Sequence, residues 1–197
     1  MIYNLTYKNG ECEIMNKKAV FLTIISIILG VAIGIVIKHG GVTTQDGTTL
    51  PRMLNAIGRT GNGLFLWTAI CTIITMLSKS KKLSAVNVFA FLGSMIIANY
   101  LYSFFVVEWF VLRVAIFWVV MLIPCSFLAY YIWDIKINKK IRNIKLKYII
   151  LAVGTIIMLY DMFLNNLIGS PTSAVIIMIL YTLFVLSILK SSTAMED

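Results

Sequence analysis

One histidine, three cysteines, three prolines and eight acidic residues are all that the 197 residues hold of these types. The single histidine removes bis-histidine haem ligation, HExxH zinc sites and a buried Ser-His-Asp triad. His39 is the one candidate, and it closes a hydrophobic run beside Gly40 and Gly41. Cys12, Cys71 and Cys125 form no CxxC pair, which argues against a thiol-disulfide oxidoreductase. Cys71 and Cys125 lie inside apolar runs, where cysteine behaves as a small hydrophobe. GxGxxG, GxxxxGK[ST] and GxSxG are missing, and an intramembrane aspartyl protease would need a second acid at the depth of Asp161. No catalytic residue, metal site or cofactor is expected, and the chain is read as a non-enzyme. The net charge of +9 raises nucleic acid as a partner. Basic residues that mark cytoplasmic loops explain it better, so no nucleic-acid partner is expected.

Charge is scarce because apolar residues are abundant. The chain is 60% hydrophobic and 13% charged, against about half and a quarter in a soluble domain. That surplus cannot be hidden in one globule of this length, and the lipid bilayer is its natural solvent. A spanning helix needs roughly 20 mostly apolar residues. By that ruler the chain divides into six segments, approximately 19–38, 61–78, 83–106, 108–133, 146–167 and 171–189. The expected fold is an all-α integral membrane protein, a six-transmembrane-helix bundle over 19–189. Residues 1–18 and 190–197 form short tails. The first span starts well inside the chain and has no A-x-A-like exit, so it reads as a retained helix. Met15-Asn16-Lys17-Lys18 resembles a start of its own, leaving residues 1–14 as an extension or a cytoplasmic tail.

Lysines orient the bundle. Lys17 and Lys18 precede the first span, and Lys79, Lys81 and Lys82 lie between the second and third. Lys136, Lys139, Lys140, Arg142, Lys145 and Lys147 lie between the fourth and fifth, and Lys190 follows the sixth. The other side has Lys38, Arg52 and Arg59. Both termini are therefore expected in the cytoplasm, in the plasma membrane of a bacterial cell.

Small residues mark close helix approach. Ser26, Gly30 and Gly34 recur every four residues in the first span, as do Ala90, Ser94 and Ala98 in the third. Packing within the bundle is the simpler account, and a partner interface on the first span is the alternative. Thr68, Cys71, Thr72 and Thr75 share one face of the second, with hydroxyls able to bond their i−4 carbonyls. Pro124 predicts a kink deep in the fourth.

Residues 39–60 form the one long outer connection. Leu50, Met53, Leu54 and Ile57 keep helical spacing, Pro51 suits a first turn and Gly58 an end, and Arg52, Asn55 and Arg59 fall on the other side. This spacing predicts a short helix on the outer interface. The sharper alternative is a lid carrying Arg52 and Arg59 over an outward-facing cavity.

Ionisable groups within spans are functional candidates by default. Arg113 lies five residues below Glu108, about 7–8 Å, and Asp161 some six residues below its outer helix end, about 9 Å. Asn99 reaches a similar depth, and Tyr100 and Tyr160 adjoin this layer. Two readings follow. Arg113 and Asp161 pair across helices with Asn99 as a hydrogen-bonding neighbour, or the five residues line a small polar pocket that binds a solute.

Six helices, inward termini, chain length and the outer loop resemble the membrane-embedded substrate-binding subunits of energy-coupling-factor vitamin transporters. The resemblance is one of architecture. It implies a solute-binding or transport component, and if transport is driven by ATP the ATPase is a separate chain, because residues 134–147 are too few to fold one. The alternative is a non-catalytic accessory or immunity-type protein that contacts another membrane protein.

Overall fold

The structure, a computed structural model, describes the backbone of residues 3–43, 49–108, 111–136, 141–164 and 171–190. Its helices are α1 (Tyr3–Val42), α2 (Thr49–Gly61), α3 (Leu64–Leu77), α4 (Lys81–Tyr102), α5 (Leu112–Ile132), α6 (Ile141–Leu164) and α7 (Pro171–Lys190). A π-helical turn, Ser103–Val107, extends α4, and a 3-10 turn, Trp133–Lys136, follows α5. No strand occurs among the described residues. Five stretches are long and apolar enough to cross a membrane: Val20–Val42, Lys81–Val107, Leu112–Ile135, Lys145–Phe163 and Pro171–Leu189. Large apolar side chains such as Phe105, Ile123 and Phe163 stand exposed on their outer faces, as they would toward lipid. The chain is an all-α, multi-pass membrane protein. Lys17, Lys18, Lys139, Lys140 and Arg142 have side chains outside the described residues. The end bearing residues 43 and 108–111 is called outer below, after the charge asymmetry.

The second pass differs from the single span expected over 61–78. α2 and α3 meet at Asn62–Gly63 with a bend of 78°. α3 has 14 residues, about 21 Å at 1.5 Å per residue, against an apolar layer of about 30 Å. Its inner end, Leu77, sits beside the basic Lys79–Lys82 segment, so its first turn lies below the outer boundary. Bare backbone N–H groups at such a depth must find acceptors within the protein.

α3 is the central helix. One face, with Leu66, Trp67 and Ile74, joins a core that includes Ile37, Val88, Phe91, Leu92 and Leu122. The other, with Phe65 and Ala69, joins Met158, Ile177, Phe184 and Ile188. α1 and α4 form the most extensive helix pair. Hydrophobicity gives helices no drive to associate in lipid, so close backbone approach matters. A Cβ on Gly30 would strike Ser94 and the Phe91 carbonyl, and one on Gly34 would meet Met95, Ala98 and Asn99. The two small-residue stripes thus face each other within the molecule. Ser94 Oγ adds a bond to the Ile27 carbonyl at 3.1 Å.

The predicted outer helix is α2, but Gly58 does not end it. Gly58 lies inside the helix, against Gly40 and Gly41 of α1, where any side chain would collide with backbone. Ala56, Gly58, Thr60 and Gly61 are its buried residues, while Leu50 and Met53 are exposed. The packing face is set by small residues together with Ile57, which packs against the core, rather than by all four apolar residues of the spacing. Asn55 Nδ2 donates to the Thr43 carbonyl at 3.0 Å and ties α2 to the end of α1.

At the inner end a buried polar cluster joins four elements. Thr23 Oγ1 donates to Asn87 Oδ1 (2.6 Å), Asn87 Nδ2 to Ser78 Oγ (3.0 Å) and Trp133 Nε1 to the Ser78 carbonyl (2.8 Å). Ser84 Oγ reaches the Ala129 carbonyl at 3.1 Å. Lys81 and Asp134 form an ion pair beside it. The threonines of α3 bond their i−4 carbonyls as expected: Thr68 to Leu64, Thr72 to Thr68 and Thr75 to Cys71.

Candidate functional site

Asp161 is 2% exposed on α6. Its Oδ2 accepts the backbone N–H of Phe65, in the first turn of α3, at 2.5 Å. This carboxyl therefore serves the short helix: it satisfies an orphan donor and places an anionic group type at the positive end of the helix dipole. Gly63 is part of the same fit, because a Cβ there would run into the Asp161 carboxyl.

Arg113 does not meet it. α3 lies between the two: α6 packs on α3 and α7, whereas α5 packs on α4 and the opposite side of α3. The depth assigned to Arg113 also changes. The helix expected from Glu108 starts at Leu112, because the π-helical turn of α4 runs to Val107 and Glu108 takes a left-handed conformation, φ 56°. Four residues of the expected helix are spent on the connection. Arg113 thus occupies the first turn of α5, exposed at the outer end, and forms no ion pair with Asp161.

Asn99 and Tyr100 do come together, in a cavity of about 660 Å³ at the outer end. Its wall includes Lys38 and Gly41 of α1, Asn62 at the α2–α3 break, Trp67 of α3, and Phe117 and Trp118 of α5. The volume falls within the ~300–1,000 Å³ usual for small-molecule sites. Asn99 Nδ2 donates to the Gly34 carbonyl at 3.3 Å, which fixes the amide against α1. Among the described lining residues Lys38 is the one charged group. Neither Arg52, exposed on α2, nor Arg59, half-buried on it, lines the cavity. Tyr160 is exposed on α6 and does not line it either. Of the five expected pocket residues, the structure therefore gathers two, Asn99 and Tyr100, and uses Asp161 elsewhere.

Lys38, Asn62, Trp67 and Trp118 are site residues that the sequence does not single out. Lys38 reads there as a topology marker, and Asn62 falls within the apolar segment 61–78. A Gly-Asn-Gly run at 61–63 was the available signal of a break. Trp67 carries one further feature. Its side chain is buried, and its Nε1–H has no acceptor among the described residues. No protein-family model, no curated protein and no solved structure matches the chain.

Proposed function

We propose that this membrane protein is a non-enzymatic solute-binding or transport component of the cell membrane, with its binding site in the outer cavity. The observation that carries this reading is the cavity itself. It combines two amides, a phenol, an ammonium and two indoles in an otherwise apolar wall, beside a helix pair bent by 78°. Discontinuous helices and mixed polar–aromatic cavities near the middle of a bundle suit solute binding in membranes. The lipid bilayer is the constant partner.

Native mass spectrometry of the gently solubilised protein tests the reading. A retained small molecule is expected on the wild-type chain and on Arg113→Leu, with loss on Asn99→Leu. Retention of a second membrane protein with no small molecule would instead favour the accessory or immunity-type reading.

A further inference from the structure

A second cavity, of about 340 Å³, runs inward from the outer one. Leu64, Trp67, Ile96, Phe117 and Trp118 line both. From there it continues between α3 and α5 to Thr75 on one wall and Ile132 on the other. From Phe117 to Ile132 is 15 residues of rise, about 22 Å, more than one leaflet of a ~30 Å apolar layer. Leu92, Ile96 and Leu122 form a buried floor, whereas Leu64, Phe117 and Leu128 are exposed at the rim. The slot thus opens sideways toward lipid. The α3 hydroxyls along it are already bonded to their own helix, so the wall presents methyl and thiol groups rather than free donors.

Resting on the outer cavity as a binding site, we propose that its ligand is a membrane amphiphile: an anionic head in the chamber of Lys38, Asn62 and Asn99, and one long acyl chain in the α3–α5 slot. Three observations converge on this occupant. The chamber and slot adjoin through five shared lining residues; polar groups stand in the chamber wall, and the slot is almost wholly apolar. Lys38, the charged group among the described lining residues, is cationic and also holds an interaction within the protein. Trp67 sits where the two meet, with a buried indole N–H that has no acceptor among the described residues, and buried donors are rarely left so. The carbonyl oxygen of an acyl amphiphile lies at that level, and the indole turns out of its buried position to donate to it. A water-soluble solute would fill the chamber and leave the slot to bulk lipid.

The probe is palmitic acid bearing a tail diazirine, added to the full chain in nanodiscs of zwitterionic lipid. Photolabelling should saturate, should map by peptide mass spectrometry to 64–75 and 117–132, and should be competed by palmitate but not by hexadecanol. Cys125→Phe, which fills the slot from α5, should lower apparent affinity at least about tenfold, and Lys38→Gln should weaken palmitate competition. Met121→Trp obstructs the same slot from its rim and replaces Cys125→Phe should that variant not fold. Labelling that rises without saturation and spreads over every lipid-facing helix would overturn the proposal. So would a water-soluble molecule retained in native mass spectra with equal yield by wild type and Cys125→Phe, a result that leaves the outer-cavity reading standing.

Discussion

Replacing Asp161 separates the two roles its position allows. Asp161→Leu removes the acceptor of the Phe65 N–H within a buried site. A buried donor left unmade costs about 1–3 kcal/mol. A carboxylate lost from a helix N-terminus adds about 0.3–1 kcal/mol. The sum is about 1.3–4 kcal/mol. For a chain of this size each kcal/mol moves the melting temperature by about 2–4 °C, so Asp161→Leu should melt about 3–16 °C lower. Asp161→Asn keeps a carbonyl oxygen at the same place and forfeits only the charged part, about 1–3 °C on the same scale. Arg113→Leu should change little, since exposed sites usually stay within about 0.5 kcal/mol. The Arg113→Leu/Asp161→Asn double variant should be additive within about 0.5 kcal/mol. The assay is thermal unfolding of the four purified variants in one detergent, followed by intrinsic fluorescence. Equal losses for Asn and Leu at 161, or recovery in the double variant, would refute helix capping and restore an Arg113–Asp161 pair.

Other expectations follow from the packing. Gly34→Leu should drive α1 and α4 apart, at about 1–3 kcal/mol for a modest overpacking and more where backbone is struck; the melting temperature or expression of folded protein reads it, and an unchanged melt would contradict the paired stripes. Asn87→Leu breaks the bonds to Thr23 and Ser78. Hydrogen bonds between membrane helices average about 0.6 kcal/mol each, so a loss of roughly 1–2 kcal/mol in denaturant titration is expected. Trp67→Phe deletes a buried donor without an acceptor and some apolar area. In lipid-free detergent it should be near neutral, while saturable palmitate labelling should weaken; a large loss of stability with unchanged labelling would show that the indole serves packing alone.

Much of the architecture was legible because lipid solvation writes itself into composition. Long apolar runs mark the later helices, and the small residues of α1 and α4 mark their contact. The broken second pass was harder to read. Residues 61–78 are apolar enough to suggest one span, and the decisive fact is that Asp161, nearly a hundred residues away, can hold the start of α3. Likewise, depth along a helix placed Arg113 and Asp161 in one layer, but depth carries no information about which helix stands between them. Asn99 and Tyr100 were found because polar groups in a span are costly wherever they face. Trp67 and Trp118 were not, since an indole in an apolar run looks the same whether it packs, anchors at an interface or lines a cavity. Asn87 ties three segments together, yet a neutral amide in an apolar run carries no sequence mark of its partners.

The direction in which the cavity opens is the most direct test of the account. Asn62 lines the outer chamber at the α2–α3 break, and Lys82 is exposed at the other end. In a chain with Cys12, Cys71 and Cys125 replaced by alanine, Asn62→Cys and Lys82→Cys are treated in intact cells with a membrane-impermeant maleimide. The account predicts modification of the Asn62→Cys variant from outside, and of the Lys82→Cys variant only after the membrane is permeabilised. Labelling of the Lys82→Cys variant in intact cells, or of the Asn62→Cys variant only after permeabilisation, would contradict it.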